Sequence, residues 1–175
     1  MPHTIYTLGH STHSIDTVVT MLRNNNVTAL IDVRSYPASR RNPQWNHDTL
    51  PTQLPTDITY TRIKNLGGRR YTPKDTPTPN TAWRVASFNH YADHMATPDF
   101  HNGLTQLLTI ATTNTPAIMC SEALPWRCHR RLITDALLIR GHTVRHIMNP
   151  TTTRNATLTD FAHTNGTTLT YPATQ

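Results

Sequence analysis

Apolar residues recur along this chain with two different periods, and the alternation between them predicts the fold. Thr4 to Leu8 reads as a strand that runs into Gly9-His10-Ser11. Ser14 is a good N-cap, and Ile15, Val18, Val19 and Leu22 follow on one helical face, stopped by Asn24-Asn25-Asn26. Val27 to Val33 is the clearest buried strand and ends in Asp32-Val33-Arg34; a Pro- and Arg-rich loop follows over Ser35 to Gln44. His47 to Leu54 predicts a short helix and Ile58 to Ile63 a third strand, followed by a Gly/Pro/Arg loop over Leu66 to Asn80. Ser87 to Met95 and Pro98 to Ala111 predict two consecutive helices, with Pro98 in the first turn of the second.

Pro116 opens a further strand through the apolar run Ala117 to Met119. A helix from about Arg127 carries Leu132, Ala136, Leu137 and Arg140 at helical spacing and stops at Gly141. Thr143 to Ile147 is the last strand. The Thr-rich tail after Pro150 predicts a short helix over Leu158 to Ala162. Strands alternating with helices imply one α/β domain over residues 1–150, with a mostly parallel sheet and helices on both faces, a Rossmann-like three-layer arrangement. Residues 151–175 read as a tail packed on that domain or extending from it.

In such a sheet, sites form at the carboxyl ends of the strands. GHS, DVR, LGGRR and CSEALPWRCHRR all follow predicted strands and are expected to meet there. The last loop holds both cysteines, Cys120 and Cys128, with Glu122, Trp126, Arg127, His129 and Arg130. A thiol between a strand end and a helix start lies where N–H groups and arginines stabilise negative charge, so a nucleophilic Cys120 would react ahead of Cys128. The alternative, a small buried Cys120 at a strand end with Glu122 and His129 carrying the chemistry, is the version favoured, because the loop lacks the glycines of an oxyanion cradle and carries its own negative charge. Glu122 reads equally as a general base or as a carboxylate capping the helix start. His10 is a candidate base; Asp32 is a candidate orienting partner of Arg34. The Cys120 to Arg127 spacing loosely resembles the anion cradle of rhodanese and thiolate-phosphatase loops. No glycine lies between them to wrap the backbone around an oxyanion, and Glu122 would repel one. The cysteines stand eight apart, and Cys128 and His129 are adjacent, which argues against a zinc site. No cofactor motif is read.

The segments TLGHS, IDVRSYPASRRNPQWN, ITYTRIKNLGGRR, SFNHYADHMATPDFHNGL and IMCSEALPWRCHRRLITDALLIRGHTVRHI, taken in order, resemble the bacterial and archaeal family called domain of unknown function 488. The resemblance runs from about residue 4 to 148. It implies a cytosolic α/β domain whose motif residues here include His10, Ser11, Asp32, Arg34, Ser39, Arg40, Leu66, Gly67, Gly68, Tyr91, Cys120, Glu122, Arg127, Cys128, His129 and Arg130. Some relatives carry a DNA-repair label.

Charge adds a partner class. The formal net charge is +6, and Lys64 and Lys74 are the only lysines among 16 cationic residues. Arginine favours bidentate contacts with phosphate or carboxylate. Arg34, Arg40, Arg127 and Arg130 are the candidate anion holders, with Tyr36 and Trp126 placed to stack a base. No run approaches a membrane span and no signal-like segment opens the chain, so a cytoplasmic protein without a membrane partner is expected. The leading reading is an enzyme acting on an anionic nucleotide or nucleic-acid substrate in an arginine-rich cleft. The alternatives are a non-catalytic nucleic-acid-binding module and a rhodanese-like sulfurtransferase or phosphatase using Cys120. Oligomeric state is not legible.

Overall fold

Six strands line up in the order β3-β2-β4-β1-β5-β6, where β1 is Thr4–Gly9, β2 Ala29–Asp32, β3 Thr59–Arg62, β4 Pro116–Cys120, β5 Thr143–Asn149 and β6 Thr152–Asn155. The computed structural model describes residues 1–174. Every neighbouring pair is parallel except β5 and β6. All five residues of β4 are buried, as a parallel strand covered on both faces requires.

Period-two alternation decides which face each side chain joins. Leu8, Leu30, Ala117 and Met119 face α1 (Ile15–Asn24), which buries Val18, Met21 and Leu22. Ser14 caps α1 through its hydroxyl, accepting the Thr17 N–H at 3.1 Å. Trp45 and Leu50, the latter in the one-turn helix α2 (Leu50–Gln53), complete that layer. Ile5, Ile31 and Ile118 point the other way, onto α3 (Ala86–His94), α4 (Pro98–Ala111) and α5 (Arg130–Leu138). The fold is therefore a three-layer α/β domain, as the hydrophobic pattern predicts.

Topology places the site. The chain leaves β1 over α1 toward β2, whereas it leaves β4 over α5 in the opposite direction, toward β5. β1 and β4 are neighbours, so their loops part to opposite faces and open a crevice at their carboxyl ends.

The tail departs from expectation. Residues 158–162 form irregular chain with a turn at 160–161, not a helix. The Arg131 Nε donates to Thr159 Oγ1 at 3.1 Å, and Asp135 Oδ1 accepts the Thr159 N–H at 3.0 Å. Side chains of α5 thus satisfy the segment in place of a helical ladder. Before it, β6 adds an antiparallel edge to the main sheet; after it, β7 (His163–Asn165) and β8 (Thr168–Thr170) form a hairpin. Tyr171 then enters the core fully buried.

Candidate active site: a thiol pair beneath an arginine-rimmed cleft

The three strand ends are tied directly to one another. His10 N–H donates to the Cys120 carbonyl at 2.9 Å, Ser11 N–H to Ser121 at 3.0 Å, and Val33 N–H to Met119 at 3.1 Å. Gly9 allows this approach, because a Cβ there would lie 1.8 Å from the Glu122 carbonyl oxygen. Ser11 takes a left-handed backbone conformation, φ 47°, as its loop turns away from the sheet.

Asp32 and Arg34 form a buried, forked ion pair. Arg34 Nε donates to Oδ1 at 2.9 Å and Nη2 to Oδ2 at 2.7 Å. Tyr60 donates to the same carboxylate, and Nη2 also reaches the Trp45 carbonyl at 2.6 Å. Nη1 lies 3.2 Å from His10 Nε2, while His10 Nδ1 lies 2.8 Å from the Ser11 carbonyl. Only a neutral imidazole protonated on Nδ1 satisfies both contacts. Burial, supported by the Arg34 charge, holds His10 down to about 4 against the pull of the Ser11 carbonyl. The His10 ring also stacks on Trp45 at 4.8 Å. His10 is thus in the site, but the guanidinium occupies its basic nitrogen.

Beneath lie the sulfurs. Cys120 Sγ and Cys128 Sγ are 2.9 Å apart. The helix begins later than expected: Pro125–Arg127 form one 3₁₀ turn, Cys128 is extended, and α5 starts at Arg130. This leaves Cys128 Sγ facing the Arg130 N–H at 3.4 Å. Arg130 itself, expected as an anion holder, turns inward and is 1% exposed. Its Nε donates to Cys120 Sγ at 3.0 Å, Nη1 to Thr7 Oγ1 at 3.0 Å and Nη2 to the Glu122 carbonyl at 2.6 Å. It therefore supplies charge to the thiols and leaves no fork for a ligand.

Two sets of contacts compete for the shared negative charge. Arg130 Nε favours it on Cys120. Burial and then the neighbouring Cys128 sulfur favour a protonated Cys120, which lies 3.5 Å from the Glu122 carbonyl that can accept its hydrogen bond. Burial alone would raise Cys128 too, but the Cys120 thiol, the Arg130 charge and the Arg130 N–H together bring it down to about 7. Burial, with the Cys128 sulfur beside it, pushes Cys120 well above the ordinary thiol range. His129 Nε2 donates to the Val33 carbonyl at 2.7 Å, which leaves Nδ1, 3.4 Å from Cys128 Sγ, as an acceptor. Burial lowers the His129 pKa and keeps the ring neutral. Gly68 packs so close that a Cβ would stand 2.5 Å from that Nδ1.

Above the sulfurs opens a cleft of about 620 Å³, lined by His10, Arg34, Tyr36, Arg69, Glu122 and Arg127 together with both cysteines and His129. Arg127 is exposed and makes no side-chain hydrogen bond or ion pair among the described residues, and Arg69 lies 5.3 Å over the exposed Tyr36 ring. Among the described residues Glu122 is the single carboxylate lining the cleft; its Oε1 accepts the Leu124 N–H at 3.2 Å, closing its own loop. Arg40 is exposed and outside this cleft. Trp126 faces away, into a second cavity of about 300 Å³, beneath the Arg154 guanidinium. The sequence offers Arg69 and Trp45 as parts of an arginine surface interleaved with aromatics; Arg69 stands on the rim, whereas Trp45 is fully buried against His10 and has no face free to stack a base. Phe88 also lines the cleft, and nothing in the sequence marks it.

No helix among the described residues is long and apolar enough to cross a membrane. Comparison with curated proteins and with solved structures returns no match. A family model described as "Domain of unknown function DUF488" matches residues 14–137, a span that includes Asp32, Arg34, both cysteines and His129. The order of these motifs and the extent of the match make the chain a member of the DUF488 family.

Proposed function

We propose that this protein is an enzyme that uses the Cys128 sulfur on an anionic substrate held in the cleft. The observation that carries this reading is the Cys128 sulfur, set against the Arg130 N–H, the Cys120 thiol and His129 Nδ1 at the floor of a cleft whose rim holds Arg69 and Arg127 without carboxylate partners among the described residues. A structural cysteine gains nothing from an N–H, a guanidinium and an imidazole nitrogen around its sulfur. A nucleophile gains thiolate at neutral pH. His129 Nδ1 accepts a hydrogen bond from Cys128 when the thiol is protonated, and Glu122 is the group available to exchange a proton with the substrate.

The substrate class is a nucleotide or a nucleic-acid strand. Arg69 and Arg127 hold phosphate, and Tyr36 and Phe88 offer flat faces to a base. A non-catalytic nucleic-acid module would use the same rim without the sulfur, and the Arg69–Tyr36 stack favours it as the second reading.

The test is a panel of nucleotides and short oligonucleotides assayed for binding and turnover with wild-type, Cys128→Ser and Arg69→Ala/Arg127→Ala proteins. The enzyme reading expects turnover that Cys128→Ser abolishes, and a raised KM in the arginine variant. Binding that weakens with salt but is unchanged in Cys128→Ser, without turnover of any substrate, would replace it with the binding module.

A further inference from the structure

We infer that Cys120 and Cys128 form a hydroperoxide-reactive site in which Cys128 is oxidised first and Cys120 resolves it to an intramolecular disulfide. The inference rests on the placement of the sulfurs and goes beyond the enzyme reading, to which it adds a means of switching the nucleophile off. Buried cysteines that serve only as packing sit among apolar groups. Here the contacts are polar: Arg130 Nε on Cys120, the Arg130 N–H and His129 Nδ1 on Cys128, and each sulfur on the other.

Geometry supplies the second half of the reaction. The sulfurs stand 2.9 Å apart, and a disulfide needs about 2.05 Å. An approach of the two sulfurs by under about 1 Å brings them to that length. Both residues line the open cleft, so a small peroxide reaches them from solvent. Cys128 is the less buried of the two, 6% exposed against 3%, and Cys120 is held by the Arg130 guanidinium, so a peroxide entering from the cleft meets Cys128 first.

The Cys128 thiolate attacks one peroxide oxygen, and the O–O bond breaks. The leaving alkoxide (hydroxide, for hydrogen peroxide) takes the proton that Cys128 lost, and Cys128 becomes a sulfenic acid. Cys120 then attacks Cys128 Sγ. The S–S bond forms, the S–O bond breaks, and hydroxide leaves as water with the Cys120 proton. In sum, two thiols and one hydroperoxide give one disulfide, one alcohol and one water. Arg130, 3.0 Å from Cys120 Sγ, stabilises the resolving sulfur as it loses its proton. Reduction by an external dithiol restores the pair through exchange.

The full-length chain is treated with equimolar hydrogen peroxide, quenched with iodoacetamide and read by intact mass and peptide mapping. The expected result is a loss of two hydrogens, no alkylated cysteine, a linked Cys120–Cys128 peptide, and full recovery with dithiothreitol. In Cys120→Ser, dimedone traps a sulfenic acid on Cys128, and further peroxide carries it to sulfinic acid. In Cys128→Ser, Cys120 stays reduced on the same timescale. Two thiols still alkylatable in the treated wild type, or sulfinic acid formed there without a linked peptide, would overturn the inference. The wild-type readout needs no variant to fold. It also needs no substrate, so a failed search for turnover leaves this result unchanged, and a missing cross-link leaves the enzyme reading standing.

Discussion

Gly9 and Glu122 approach so closely that β1 and the loop after β4 behave as one unit: a Cβ on Gly9 would lie 1.8 Å from the Glu122 carbonyl oxygen and 2.9 Å from the Ala123 Cα. That carbonyl also accepts Arg130 Nη2. The hydrogen on Gly9 Cα therefore sets where the cysteine loop sits, and through Arg130 it sets the environment of both sulfurs.

Gly9→Ala should push the 121–123 backbone away and break the Arg130 contact. Overpacking against backbone costs about 1–3 kcal/mol or more, because no flexible side-chain end can yield. The expected outcome is a lower urea midpoint together with slower alkylation of Cys128 near neutral pH. Wild-type values for both would mean that the loop is not held by this contact.

Arg130 is the second test of that unit. Arg130→Met leaves the Glu122 carbonyl and Thr7 hydroxyl without their donor, at about 1–3 kcal/mol for each unsatisfied group. It also removes the charge that holds Cys128 near 7. The midpoint of the pH–rate profile for iodoacetamide labelling of Cys128 should rise toward the ordinary thiol range. Arg130→Lys keeps the charge but not the fork, and should fall between the two. A labelling midpoint unmoved in Arg130→Met would assign the low value to the helix start and to Cys120 alone.

Much of this was legible in the sequence, and what was not has specific causes. Pro98–Ala111 is read to the residue because a proline in the first turn and a sustained 3.6 period agree; the Thr97 hydroxyl caps it in the structure. The convergence of His10, Asp32, Arg34 and the cysteine loop follows from each terminating a parallel strand. The inward turn of Arg130 does not follow, because Thr7, one of its partners, lies 123 residues away. Adjacent arginines at a helix start read as surface charge, and the direction of a side chain is a tertiary property. In the tail, strands of three and four residues are too short for alternation to register, and repeated threonine carries no face.

Acid should weaken the fold well before its carboxylates titrate. His10 and His146 are both held down to about 4: His10 by burial and the Arg34 charge, His146 by burial and the Arg130 and Arg154 charges. Thr7 Oγ1, which accepts from Arg130, lies 2.6 Å from His146 Nδ1 and is free to donate to it. The unfolded chain binds protons on these rings below about 6.5, where the folded protein refuses them. Stability from the two histidines is therefore complete above pH 6.5 and lost as pH falls from there toward 4. The loss is at most about 1.4 kcal/mol per pH unit for each ring. Urea midpoints measured between about pH 7.5 and 5 should fall, and His146→Gln, which keeps an acceptor for Thr7, should flatten the slope. A flat wild-type profile over that range would show that these rings protonate in place.

Removing the Tyr171 ring should cost as much as removing a core aromatic anywhere in the domain. It is fully buried, packs 5.0 Å from Trp83, and donates to Asp135 Oδ2 at 2.8 Å. Asp135 lies on α5, and its other oxygen accepts the Thr159 N–H. One carboxylate thus ties two points of the tail to the helix that follows the cysteine loop. Tyr171→Ala should destabilise by about 3–5 kcal/mol through the cavity and the orphaned oxygen. Tyr171→Phe retains the ring and loses only the hydrogen bond, at about 1–3 kcal/mol. Burial already raises the Asp135 pKa, so in Tyr171→Phe the carboxyl should take up a proton more readily and the deficit should shrink as pH falls. Chemical denaturation of the three proteins at neutral and mildly acid pH measures this. If Tyr171→Ala unfolds with the wild-type midpoint, the tail is an appendage and α5 stands without it.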